Sequence, residues 1–282
     1  MSAARLSRQQ GLSMIELLIA LAISSFLILG VTQIFIDNKR NYLFQRSQTS
    51  IHENARYAEM LLNDYLAKAG YRRAPDELPE YAFPALGAST DCLAFTKGSP
   101  VTATADQQGI CIRYQPLVSG ESDCIGNATG VFNDDIPFTS PPQSALVILA
   151  IKYDQGDALD SGTITCKNIS SSVGEEALLG NVADFRLEFG VGTNDLLSKA
   201  LITTGDRFVS ASDWTTNSGP IRAVRYSLLL ASAPNQREGG SQVYTDWLAS
   251  AGDTSKIRLE AGDQNRLYQV AGSTRTIRNL MP

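Results

Sequence analysis

The segment from Leu17 to Ile36 constrains this chain more than any other, because it holds 20 consecutive residues without a charge. As an α-helix rising about 1.5 Å per residue, it would span roughly 30 Å, the thickness of the hydrocarbon core of a bilayer. Arg5 and Arg8 precede the segment, which predicts a cytoplasmic N-terminal tail and an exported remainder. Lys39 and Arg40 on the far side weaken that charge asymmetry without reversing the prediction.

The two ends of the apolar segment do not fit an ordinary secretory signal. The residues after it, DNKRNYLFQR, offer no small-x-small site for signal peptidase. At its start stands Glu16, and a carboxylate in hydrocarbon costs about 2.5 kcal/mol or more unless it is paired. An uncleaved signal anchor explains the length and the arginines but leaves this acid unexplained. The sequence therefore predicts a partner for Glu16.

The residues GLSMIELLIALAIS (Gly11–Ser24), behind a basic leader, resemble the class III signal of type IV pilins and type II secretion pseudopilins. The resemblance implies that a membrane-embedded prepilin peptidase cuts after Gly11 and methylates the new N-terminal amine of Leu12. It also implies that Glu16 neutralises the N-terminal amine of an adjacent subunit in the filament, a pairing that would remove most of its cost in lipid. The family more often has phenylalanine or methionine where this chain has Leu12.

The helical pattern continues beyond the predicted membrane segment, since residues 37–69 contain neither proline nor glycine. Gly70 is the expected C-cap, and Pro75 prevents continuation. We expect one long helix whose first half lies in lipid or the filament core and whose second half packs on a globular head. Apolar residues at spacings of three and four predict the packed stripe: Ile51, Ala55, Ala58, Leu62, Tyr65 and Ala69.

Beyond Gly70, alternating hydrophobicity predicts a head with a mainly antiparallel sheet. In Val182–Gly190, charged and apolar residues alternate, which predicts one solvated sheet face. The predicted strands are Cys92–Thr96, Ile110–Gln115, Ala145–Lys152, Gly162–Cys166, Val182–Gly190 and Arg222–Ala231, with a last pair near Arg266–Val270 and Arg275–Asn279.

The fold class that the resemblance implies is α+β, the type IV pilin fold, with the long N-terminal helix packed on this sheet. The expected organisation is a leader at 1–11, a transmembrane and filament-core half-helix at 12–36, a periplasmic half-helix at 37–70 and a β-rich head at 71–282.

The four cysteines lie in the middle of the chain, and none forms a C-x-x-C pair. The single histidine, His52, is far from them in sequence, so we expect two disulfides in an oxidising compartment rather than a zinc site. Four cysteines allow three connectivities. We choose Cys92–Cys111 with Cys124–Cys166, because each pair closes a local loop that would contribute roughly 3–4 kcal/mol in the chain-entropy model.

Other function classes receive little support from the sequence. The net charge of −5 gives no indication of a broad nucleic-acid surface. The sequence contains neither a G-x-S-x-G motif nor a glycine-rich phosphate loop, so nothing in it points to an enzyme or a cofactor. The stretch DQGDALDSG (Asp154–Gly162) could ligate calcium, but it lacks the EF-hand spacing, and a hairpin turn is the simpler interpretation. Four aromatic residues are interpreted as core rather than as a binding surface: Trp214, Tyr226, Tyr244 and Trp247.

Within the family, the large head, the central cysteines and the late RLYQV and TIRN segments (Arg266–Asn279) resemble the PilW group of minor pilins. This implies a low-copy subunit that helps to initiate pilus assembly at or near the tip and supports twitching motility, adhesion or DNA uptake. Its implied partners are other minor pilins, the major pilin, the prepilin peptidase, the inner-membrane assembly platform and a tip adhesin. The alternatives are a J-type minor pseudopilin of a type II secretion system and an uncleaved, inner-membrane anchored binding protein.

Overall fold

A computed structural model describes residues 13–171, 174–192 and 208–280 of the chain. The chain divides into two compact units, Met1–Arg46 and Ser47–Pro282. A continuous helix, α1 (Met14–Lys68), supplies the described part of the first unit and the first residues of the second. The boundary between the units thus lies inside the helix, ten residues after the start predicted for the periplasmic half-helix.

Helix α1 ends where the sequence predicts. Gly70 has a φ of +74°, the left-handed conformation typical of a residue that follows a helix. A Cβ atom at this position would also lie 3.0 Å from Cγ of Pro100, a tight contact that glycine avoids. The backbone N–H of Gly70 donates to the carbonyl of Arg113, 2.9 Å away, which ties the helix end to the head. A single helical turn, α2 (Pro79–Ala82), follows.

The predicted stripe of α1 is buried, except that one of its residues is replaced in the core by its neighbour. Tyr65 is only partly buried, and Leu66 lies in the core in its place. Both positions fit a stripe at spacings of three and four, since Tyr65 follows Leu62 by three residues and Leu66 follows it by four. The buried residues of the helix are Ile51, Ala55, Ala58, Leu62 and Leu66.

The head contains two antiparallel sheets whose inner faces share one apolar core with the stripe of α1. This confirms the α+β class and the antiparallel pairing. The first sheet follows chain order: β1 (Val101–Ala103), β2 (Gly109–Tyr114), β3 (Val147–Asp154), β4 (Thr163–Asn168) and β5 (Glu175–Leu179). The second contains β6 (Val182–Val191), β7 (Phe208–Ser210), β8 (Ile221–Ala231) and β9 (Tyr268–Thr276), in the spatial order β7–β6–β8–β9.

The predicted strand Cys92–Thr96 is wrong. This segment makes only isolated bridges, one from Cys92 to Thr104 and one from Phe95 to Leu86. Apolar residues alternate here because some of them face the core, and the segment does not join either sheet as a regular strand.

A buried arginine on β2, Arg113, holds this irregular segment. Burial lowers the pKa of Arg113 to about 10, which leaves it cationic at neutral pH. A buried guanidinium needs acceptors for its N–H groups, and backbone carbonyls without strand partners supply them. The guanidinium donates to four such carbonyls: Phe83 at 3.2 Å, Pro84 at 2.6 Å, Thr96 at 3.1 Å and Ser99 at 2.8 Å.

The predicted pair of C-terminal strands is also wrong, because a single strand, β9, runs through the region. The residues Ala271 and Gly272 resemble a turn in sequence but pair with β8 without interruption. A Cβ atom on Gly272 would lie 2.7 Å from the carbonyl oxygen of Tyr226. Glycine is therefore needed here for close approach of two strands, and not for a turn.

The outer face of the second sheet is not fully solvated, in contrast to the prediction. Two helices that the sequence analysis did not predict, α3 (Gln242–Ala249) and α4 (Asp253–Gly262), cover part of it. The Ser241 hydroxyl caps α3 by accepting a hydrogen bond from the backbone N–H of Tyr244. A second apolar cluster lies beneath these helices: Leu159, Ala183, Leu229, Ala231, Tyr244, Trp247, Leu259 and Tyr268.

The buried tyrosines predict alkaline unfolding. Burial raises the pKa of Tyr153, Tyr226 and Tyr244 to about 12, and the same cause raises those of Tyr114 and Tyr268. Unfolded tyrosines ionise near pH 10. Above about pH 10 the unfolded state loses protons first, so the free energy of unfolding falls as the pH rises toward about 12. We expect the exposed tyrosines to ionise near pH 10 in the folded chain, and the phenolate absorbance of the buried ones to rise only together with loss of the circular dichroism signal. Full ionisation of the folded chain near pH 10 would contradict this.

Candidate functional site

The apolar helix begins with a polar cap. Ser13 precedes the first helical residue, and its carbonyl accepts the first intrahelical hydrogen bond from the N–H of Leu17, at 3.2 Å. The N–H of Ser13 donates to Oε2 of Glu16, at 3.1 Å. This contact is one half of a capping box, and a carboxylate in the first turn also interacts favourably with the helix dipole. Glu16 therefore has a local partner that the sequence analysis missed, although the S-x-x-E spacing indicates it.

The cap does not neutralise the charge of Glu16. A backbone N–H is a neutral donor, and across residues 13–171, 174–192 and 208–280 no lysine or arginine forms an ion pair with Glu16. The acid is followed by a segment that lipid would surround, where an unpaired charge is costly. The carboxylate thus has acceptor capacity left for a cation from outside the described residues.

The surface of α1 from Leu17 to Ile36 carries no charge and is largely apolar. All residues from Leu17 to Ile36 are exposed in the single chain. Within the described residues, α1 is the one helix long and apolar enough to cross a membrane. The hydroxyls of Ser25 and Thr32 donate to backbone carbonyls one turn earlier in the helix, at 2.8 and 2.7 Å. These polar side chains are therefore satisfied without water, as a lipid environment requires.

Gly11 and Leu12, the predicted cleavage position and methylated residue, lie outside the described residues. Their roles stay predictions.

All four cysteines form disulfides, and the pairs are the two chosen from sequence. Cys92 is bonded to Cys111 on β2, and Cys124 is bonded to Cys166 on β4. All four are buried. The bonds fasten two irregular segments of the head to the first sheet.

The residues set aside as sites have ordinary structural positions. In the described part of the chain, no group of three or more histidine, cysteine or acidic residues could hold a metal ion. The segment Asp154–Gly162 connects β3 to β4, and its Asp160 pairs with Arg266 at 2.9 Å. His52 is exposed on α1. The four aromatic residues interpreted as core are all buried: Trp214, Tyr226, Tyr244 and Trp247.

A cleft of 710 Å³ is lined by residues of β6, by Gln107 and Gln108 just before β2, and by the segment that joins α3 to α4. Its buried carboxylate, Asp184, is fully engaged. Asp184 accepts from Nε1 of Trp247 at 2.8 Å and from Arg258 at 3.3 Å, and Arg186 lies 3.5 Å away. Both oxygens of this carboxylate are thus occupied by protein donors rather than directed at a ligand in the cleft.

Residues 6–32 match the family described as the prokaryotic N-terminal methylation motif. No curated protein gives a significant match. Among solved structures, the chain is similar to the type IV-like pilin TTHA1219 from Thermus thermophilus, with 10% identity and a TM-score of 0.38. That similarity covers 83% of this chain and 100% of the other. Residues 6–32 of this chain thus carry a prokaryotic N-terminal methylation motif, which extends into a helix long and apolar enough to cross a membrane.

Proposed function

We propose that this protein is a minor type IV pilin, a structural subunit that helps to initiate pilus assembly at or near the pilus tip. The observation that carries the proposal is Glu16, whose one bond within the described residues is to a neutral N–H, at the start of an uncharged helix. Such an acid gains a strong partner when the free amine of a neighbouring subunit approaches it. Assembly then supplies the cationic partner for Glu16 that the described residues of the single chain lack.

The proposed partners follow from this role. The prepilin peptidase cuts after Gly11 and methylates Leu12, the inner-membrane platform inserts the subunit, and other minor pilins and the major pilin pack against α1. A tip adhesin is a further partner. The large head and its central cysteines support a minor rather than a major subunit, with roles in twitching motility, adhesion or DNA uptake.

The proposed location is the inner membrane, with the N-terminus cytoplasmic and the head periplasmic, followed by the pilus. Arg5 and Arg8 support this orientation, because basic residues favour the cytoplasmic side. The disulfides Cys92–Cys111 and Cys124–Cys166 support an oxidising compartment for the head.

Mass spectrometry of the N-terminus tests the proposal. We expect the chain from wild-type cells to begin at Leu12 and to carry one additional methyl group on its amine. An intact leader from Met1 to Gly11 in those cells would contradict pilin processing and favour an uncleaved anchor. Deletion of the gene, scored for pili, motility and transformation, separates a pilus subunit from a J-type pseudopilin, whose loss would reduce protein secretion instead.

A further inference from the structure

The connection between β2 and β3, residues 115–146, carries an unusual amount of exposed apolar surface. Its one described helical element is the short 3₁₀ turn Gln143–Ala145. Long connections without secondary structure are uncommon in compact domains and are usually functional. Five large apolar side chains of this connection are between 49% and 86% exposed, and we name them the apolar loop patch: Leu117, Val118, Val131, Ile136 and Phe138.

Arg73, a buried residue just after α1, gathers the parts of the connection that carry the patch. Its guanidinium donates to the carbonyls of Leu117 at 3.1 Å, Asp134 at 2.9 Å and Thr139 at 3.2 Å. It also lies over the ring of Phe132, 5.2 Å from the centroid. One side chain therefore fixes both ends of the patch relative to each other.

Further bonds fasten the connection to the first sheet. Cys124 is bonded to Cys166, and Oδ2 of the buried Asp123 accepts from Asn168 at 2.8 Å. The backbone of the connection is thus ordered before any partner arrives. Ordering that is already complete lowers the entropic cost of binding.

Phe138 adds evidence that the patch serves a purpose other than folding. Its φ is +60°, a conformation that is unusual for a bulky residue and costs on the order of 1 kcal/mol or more. Its side chain is nevertheless 72% exposed, so burial of the ring contributes little to the stability of the head that could offset this strain. Several large apolar side chains exposed on segments that one arginine binds together indicate a protein interaction surface.

The charges beside the patch define the partner. Residues 115–146 contain four acids and no lysine or arginine. Of these acids, Glu121 pairs with Lys68 and Asp123 is buried, whereas Asp135 is exposed and Asp134 partly so. A surface with an apolar centre and acidic neighbours fits a partner with an apolar centre and a basic rim.

We propose that the apolar loop patch docks a different exported protein with such a surface. A second copy of this chain is a poor occupant, because a two-fold contact uses the same surface on both copies and residues 115–146 offer no lysine or arginine to meet Asp134 and Asp135. That the partner is a co-assembling filament subunit or tip adhesin rests on the proposed function. The existence of the patch and the acidic residues beside it are independent of the proposed function.

Site-specific photo-crosslinking of the full chain in cells tests this. A photoreactive residue replaces Phe138 or, as a matched control, Ile257, which is 69% exposed on α4 outside the patch. The other minor pilins and the adhesin each carry a different tag. We expect an adduct with one tagged protein from position 138 and none from position 257. No adduct, equal adducts from both positions, or an adduct with a second copy would overturn the proposal.

Substitutions provide the second readout. We expect the double variant Ile136→Ser and Phe138→Ser to reduce recovery of the tagged partner about tenfold, and Ile257→Ser to leave it unchanged. Asp135→Lys should weaken recovery most at low salt, where charge attraction is least screened. Unchanged recovery of the partner in the double variant would refute docking at the apolar loop patch. If Glu16→Ala still abolishes assembly in the same cells, the proposed function stands while this inference fails.

Discussion

Replacement of Glu16 by alanine is expected to leave leader cleavage largely intact and to abolish or sharply reduce incorporation into pili. The proposed cleavage lies between Gly11 and Leu12, whereas Glu16 is expected to act only when subunits meet. Alanine removes both the charge and the acceptor that caps Ser13. Immunodetection of the subunit in sheared pili, beside the mass of its N-terminus, measures both effects.

Glu16→Gln separates the charge from the cap. Glutamine retains an oxygen that can accept from the N–H of Ser13, as the capping box allows, but carries no charge. If pairing with a neighbouring amine drives assembly, the glutamine variant should fail as the alanine variant does. Wild-type filament numbers in Glu16→Gln would show that the acid is a helix cap and that charge pairing is unnecessary.

Removal of the Cys124–Cys166 disulfide is expected to have the largest effect on the stability of the head. The bond closes a loop with a sequence separation of 42, against 19 for Cys92–Cys111. In the chain-entropy model the losses are about 4 and about 3 kcal/mol, respectively. The double variant Cys124→Ser and Cys166→Ser should therefore lower the free energy of unfolding more than the matched pair of substitutions at 92 and 111.

Denaturant unfolding of the full chain in detergent measures the two losses. Reduction of the wild-type chain should give at least the larger loss. A cost below about 1 kcal/mol for the Cys124–Cys166 pair, or the reverse order of the two pairs, would contradict the loop argument.

Helix α1 could be predicted from sequence because its signals are strong and local. An uncharged run, a stretch without proline or glycine, and Gly70 at the end each point to the same element. The exchange of Tyr65 for Leu66 in the core shows the limit of that pattern, since both positions satisfy the spacing. Which one is buried depends on the surface against which the helix packs.

The missed elements have weak local signals. Strand β5 begins with two exposed glutamates, Glu175 and Glu176, and β1 has only three residues. Helix α4 has Leu259 as its single buried residue, so no apolar stripe marks it. The break expected near Gly272 is wrong because sequence does not reveal the approach of Tyr226 from the neighbouring strand. These features depend on partners distant in the chain.

The continuity of α1 has a mechanical consequence. The residues proposed to anchor the subunit and the residues that complete the core of its head belong to one hydrogen-bonded helix. Because the helix is continuous, a pulling force on the anchor would pass along its backbone to Ala55, the first residue of α1 in the apolar core. Resistance of the head to tension would then depend on how firmly Ile51, Ala55, Ala58 and Leu62 are held.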